Sequence, residues 1–151
     1  MYKCKHFKIE ELVPEKTYKT HGDDSWNLFD ERILKVIDKI RDYFGCSMVI
    51  NNWASEGNMQ FRGYRYPGCG VGTPTGAHYK GMAADFNLYK QGKLLDSEFV
   101  SKETIKNKAK FPEVKGVEVV NGWSHVDVML RAGQKPGTIC VFGTKGFLYW
   151  A

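Results

Sequence analysis

Gly76-Ala77-His78-Tyr79-Lys80-Gly81-Met82-Ala83-Ala84-Asp85 is the stretch on which the reading of the chain turns. A glycine-bounded loop carrying one histidine runs into Ala83–Leu88, whose pattern predicts a strand, so His78 belongs to a loop and Asp85 to the strand behind it. Further on, Trp123-Ser124-His125-Val126-Asp127 carries a second histidine on another short strand. Two imidazole nitrogens and one carboxylate oxygen make a three-ligand set with a free fourth position, as a catalytic zinc needs. Metal so held polarises a carbonyl and acidifies water. Singly, each residue has an ordinary use: a histidine beside glycine fits a turn, Asp85 a turn cap, and an inward His-x-Asp pair a structural hydrogen bond. A metal site is the reading that takes them together, and a resemblance given below decides for it.

Outward from these motifs, the pattern predicts an α+β fold with a small, mainly antiparallel sheet and flanking helices. Phe7, Ile9 and Leu12 mark a short docking segment. Asp23, Asp24, Ser25 and Asn27 offer N-caps ahead of an amphipathic helix over Asp30–Phe44, with Ile33, Leu34, Ile37, Ile40, Tyr43 and Phe44 on one face and Gly45 as its stop. Ser47–Ile50 reads as a buried strand. The Trp53–Thr75 segment, rich in Gly, Pro, Asn and aromatics, reads as a long ordered loop of functional kind. A turn at Gln91-Gly92 follows the Ala83–Leu88 strand, and Ser97–Ala109 is a polar helix. Strands over Val117–Val120 and His125–Leu130 are joined across Asn121-Gly122 as a hairpin, and Gly133–Trp150 supplies one or two closing strands.

The 151 residues suit one domain, 1–151, with one core. No apolar run is long enough to span a bilayer. Met1–His6 is basic with no apolar stretch behind it, so no secretory signal is expected. The net charge of +5 favours anionic partners. Lys102–Lys115 reads as a solvated helix face, and too few aromatics accompany it to argue for nucleic-acid binding. Cys4, Cys46, Cys69 and Cys140 form no Cys-x-x-Cys pair and are expected to be reduced thiols.

Gly76-x-His78-x-x-Gly81-x-Ala83-x-Asp85 resembles the Ser-x-His-x-x-Gly-x-Ala-x-Asp signature of the zinc D-alanyl-D-alanine carboxypeptidase family. That family includes phage L-alanyl-D-glutamate endolysins and shares its fold with hedgehog signalling domains. His125-x-Asp127 resembles the ending of the family's short-chain branch, and Gly63-Tyr64-Arg65 its Gly-Tyr-Arg, so the likeness runs from about Phe7 to Arg131. It implies one Zn2+ per chain on His78, Asp85 and His125. It implies Arg65, or nearby Arg62, as the arginine that holds substrate and steadies oxyanion charge, with Tyr64 in the binding wall. Gly81 and Ala83 are explained as small residues that let the backbone turn between ligands.

Two positions depart from the pattern. Gly76 stands where serine is usual, and Gly122 where many members carry the acid that serves as general base. Asp127, on the same strand face as His125, and Glu118, on the preceding strand, are the candidates to replace it. The resemblance implies a zinc peptidase acting as a monomer on peptidoglycan stem peptides, as a carboxypeptidase or an endopeptidase. Neither nucleic acid nor membrane insertion is expected. The product is expected to be made in the cytoplasm and to act at the wall after holin release or as part of a virion. A non-catalytic module of the same fold is the alternative that Gly76 and Gly122 favour.

Overall fold

A computed structural model describes residues 1–151. The fold is α+β: three α-helices and a seven-stranded, mostly antiparallel mixed sheet. The elements run α1 (Glu15–His21), α2 (Glu31–Phe44), β1 (Ser47–Val49), β2 (Ala83–Lys90), β3 (Lys93–Leu94), α3 (Ser97–Lys106), β4 (Gly116–Glu118), β5 (Ser124–Asp127), β6 (Cys140–Gly143) and β7 (Gly146–Trp150). The strand order is β1-β2-β5-β4-β6-β7, with β3 turned back on β2. Every pairing is antiparallel except β4 with β6.

The long helix forms where apolar periodicity places it, and it buries Ile33, Leu34, Val36, Ile37 and Ile40. Its cap is Asp30, whose carboxylate accepts from the Arg32 amide at 2.9 Å, rather than any of the residues from Asp23 to Asn27. Those residues lie in a 3-10 turn, Gly22–Leu28, that buries Ser25 and Trp26. Gly45 ends the helix in the left-handed region, at φ 59°. Asp38, buried on α2, accepts from Tyr2 Oη (2.6 Å) and from the Lys5 and His6 amides, tying down the N-terminal segment.

The α1 helix was not expected from the sequence. It buries only Thr17, so no apolar stripe announces it; contacts such as Tyr18 against Trp53 (5.9 Å between centroids) hold it in place. The Asn121-Gly122 link is also longer than a two-residue turn, because β4 stops at Glu118 and β5 starts at Ser124. Val119 has left for the other neighbour, donating its amide to Phe142 O at 2.9 Å.

Alternation divides the sheet. Ala84, Phe86 and Leu88 of β2, Val126 of β5, Val117 of β4 and Val141 of β6 are buried in one core with the apolar face of α2. On the opposite face, register aligns Asp85, His125, Glu118 and Phe142 in one row across four strands, with Ala83, Asp127, Gly116 and Cys140 in the next. The chemistry-bearing residues therefore share the face the core does not use.

Candidate metal centre

His78 sits on a 3-10 turn, Ala77–Lys80, closed by Gly81 at φ 62°. A Cβ at Gly81 would stand 2.0 Å from Leu28 O, so glycine is required there by conformation and by packing. The His78 ring is oriented from behind by the long loop: Nδ1 lies 2.7 Å from Gly63 O. A carbonyl only accepts, so Nδ1 carries a hydrogen, and Nε2 is the nitrogen left to face the cluster. Gly63 is itself pressed against Leu12, whose carbonyl would be 2.0 Å from any Cβ there. Phe7–Leu12, the long loop and the His78 turn are thus stacked, and the stack aims Nε2 at Asp85 Oδ1, 3.3 Å away.

His125 is directly opposite Asp85 in the β2–β5 register. Its Nδ1 is 2.7 Å from Asp85 Oδ1, and its Nε2 is 3.2 Å from Asp127 Oδ2. His78 Nε2, Asp85 Oδ1 and His125 Nδ1 all lie within 4.8 Å of one another, a buried His-Asp-His group that can hold a metal ion. Donors on a tetrahedron about 2.1 Å from an ion stand roughly 3.4 Å apart. The His78–Asp85 separation already matches that spacing, and the His125–Asp85 pair needs to open by little more than half an ångström. The donor chemistry fits a divalent cation, and the nitrogen of each ring that is not offered is held by an acceptor, as metal-binding histidines require.

Without metal, His125 lies between two carboxylates. Burial opposes its charged form, but hydrogen bonds to Asp127 and Asp85 outweigh that and push its pKa up to about 10. Burial likewise raises Asp85, and the two imidazoles overcome it, holding the carboxyl well below its usual range. In the metal-free chain a hydrogen on His125 Nδ1 thus bridges to Asp85, on the nitrogen that a metal would need.

Asp127 is fully buried and saturated. Oδ1 accepts from Arg131 Nη1 (2.7 Å) and the Met129 amide (3.1 Å), while Oδ2 accepts from Arg131 Nη2 (2.5 Å) and His125 Nε2. It lies across the imidazole from Asp85, behind His125 rather than over the donor cluster. Burial pushes its carboxyl up, and the Arg131 and His125 contacts bring it down to about 2. Gly116 makes room for this arrangement, because a Cβ there would fall 2.2 Å from Asp127 Oδ2.

Glu118 is directly opposite His125 on β4. Ser101 Oγ holds its main chain (3.0 Å to the carbonyl) and its half-buried carboxylate has no partner within the chain. Arg65 faces the cluster: Nη2 is 3.1 Å from Asp85 Oδ2, and Nε donates to Phe61 O. Arg62 instead gives its carbonyl to the Asp85 amide (2.7 Å), and its guanidinium donates to Met59 Sδ. Burial lowers the Arg62 pKa, against the pull of Asp85. Tyr64 packs on Phe29 and the edge of the core.

Gly122 adopts φ 101°, where L side chains are rarely found, so an acid there would strain the backbone. Sequence reasoning missed Arg131, Gly116 and Phe142, whose ring lies 5.4 Å from that of His125. No local signal marks them, since the sheet register and an irregular turn bring them in. Comparison of the chain with family models, with curated proteins and with solved structures gives no significant match.

Proposed function

We propose that the chain is a zinc-dependent peptidase of the D-alanyl-D-alanine carboxypeptidase kind, with that family's hedgehog-like fold, hydrolysing stem peptides of bacterial peptidoglycan. The supporting observation is the donor set: two imidazoles and one carboxylate converge within 4.8 Å, with both rings tethered at their other nitrogen. Zinc bound there supplies a Lewis acid for the scissile carbonyl and lowers the pKa of water.

The chain's own residues do the rest. Arg65, beside Asp85, and Arg62, which has no carboxylate partner, offer positive charge to substrate oxygens that gain charge during attack. Glu118, next to His125 with a free carboxylate, takes the proton of the attacking water and returns it to the leaving amine. Asp127 is assigned to orienting His125, since its oxygens are already spoken for. The net charge of +5 suits an anionic wall, which the protein would reach through a holin pore or on a virion.

The second reading is a non-catalytic module of the same fold. It is favoured by the backbone at Gly122 and by the saturation of Asp127, which leave Glu118 alone as a base. Digestion of purified peptidoglycan with zinc-loaded protein, with fragments identified by mass, separates the readings. Released stem fragments that vanish with Glu118→Gln support the enzyme. A zinc-loaded protein that releases nothing supports the module.

A further inference from the structure

A β-bulge re-aims the last strand. The β6–β7 register pairs Cys140 with Trp150 and Val141 with Tyr149, then slips so that Phe142 pairs with Phe147. Strict alternation would send Phe147 and Trp150, three residues apart, to opposite faces. The bulge puts both on the face that carries Asp85 and His125, with their rings 5.1 Å apart. Both rings stay open to solvent, at 57% and 42% exposure. Together with Phe142 they wall a groove of about 420 Å³, and the small residues Ala132, Cys140 and Gly146 leave the space between them.

The groove is continuous with the metal centre through two shared residues. Phe142 packs on His125, and Arg131, the groove's one charged residue, holds Asp127 behind that histidine. The groove thus lies on the same sheet face as the donors, toward β7 from His125. Exposed rings at the end of a site anchor a group that is apolar on one face and polar at its rim. If the chain acts on peptidoglycan, the groups beside the scissile bond are small or acidic, and alanine or glutamate side chains leave such a wall unfilled. The one ring-sized group on that substrate is the amino sugar bearing the stem, whose axial C–H face meets the negative face of an aromatic ring while its hydroxyl and acetamido groups stay at the rim.

We propose that the Phe142–Phe147–Trp150 groove is a subsite for an N-acetylated pyranose of the wall glycan. The substrate is then a glycan-borne stem rather than a free peptide. The choice of sugar rests on the peptidoglycan reading above; the groove itself does not.

Two arms test it with the full chain. Calorimetric titration with the peptide-free disaccharide of N-acetylglucosamine and N-acetylmuramic acid, with and without zinc, reads the groove alone. Wild type is expected to bind in both states. Trp150→Ala and Phe147→Ala, each checked for an unchanged melting profile, are expected to bind at least tenfold more weakly, while Phe99→Ala on α3 binds like wild type. The second arm compares turnover of a disaccharide-linked stem with that of the same peptide without sugar; the preference for the linked form should disappear in Trp150→Ala. Disaccharide binding by a protein that cleaves nothing upholds the subsite and sinks the peptidase reading. No binding by wild type, or equal binding by both folded groove variants, overturns the subsite even if peptide is cleaved. Should one groove variant fail to fold, the other decides.

Discussion

Asp127 and His125 are two residues apart on one strand, and alternation alone puts both on one face. Spacing cannot say which atom of the ring meets which oxygen. His125 turns Nδ1 to Asp85 and Nε2 to Asp127, and Arg131, from the turn beyond β5, fills the remaining acceptors of Asp127. The His-Asp-His group that can hold a metal ion was therefore legible in two motifs, but the buttress behind His125 was not. Asp127→Asn should retain the fold and loosen zinc about 10- to 100-fold, as loss of a ligand-orienting partner does; competition with a chromophoric chelator measures this. Unchanged affinity with abolished turnover would return Asp127 to the role of base.

The same residues shape stability against pH in the metal-free chain. Asp85 and Asp127 are depressed on folding, so their contribution is present above the unfolded value of about 3.9 and is lost as pH falls through their folded values. His125 is raised, so its contribution is full below about 6.5 and is lost as pH climbs toward about 10. Chemical denaturation of metal-free protein across pH should give a maximum between about pH 4 and 6.5. Zinc requires the deprotonated ring, so the stabilisation it adds should grow with pH over the alkaline limb. A zinc effect independent of pH would contradict displacement of that proton.

At the scale of elements, what could be read depended on how local the cause was. α2 carries its own stripe, cap and stop, and the sequence places it to within a residue. β2, the Gln91-Gly92 turn and α3 follow from equally local signals, although α3 ends at Lys106 and a 3-10 turn, Lys108–Lys110, replaces its expected last turn. α1 and the parallel β4–β6 pair depend on distant partners, so no window of sequence contains their cause. Gly116 belongs to this second class: nothing beside it demands glycine, but its strand passes under the Asp127–Arg131 pair. Gly116→Ala forces a methyl group into that pair and should cost about 1–3 kcal/mol in a denaturation experiment on metal-free protein, as overpacking does. A neutral result would mean that the pair shifts freely and does not fix His125.

For the whole molecule, the two sheet faces divide the work. One closes the core against α2; the other aligns a row from Asp85 to Phe142, to which β7 adds Phe147. His78 comes from outside the sheet, carried by a turn stacked on the N-terminal segment and the long loop. A metal held there would join the sheet to the loops, and zinc at 100 times its dissociation constant should stabilise the fold by about 2.7 kcal/mol. Zinc bound per chain after loading and exhaustive dialysis tests the His78–Asp85–His125 centre most directly. The account predicts one equivalent in wild type and none retained by folded His78→Ala, Asp85→Ala or His125→Ala; no stoichiometric zinc in wild type, or a full equivalent kept by all three variants, would contradict it.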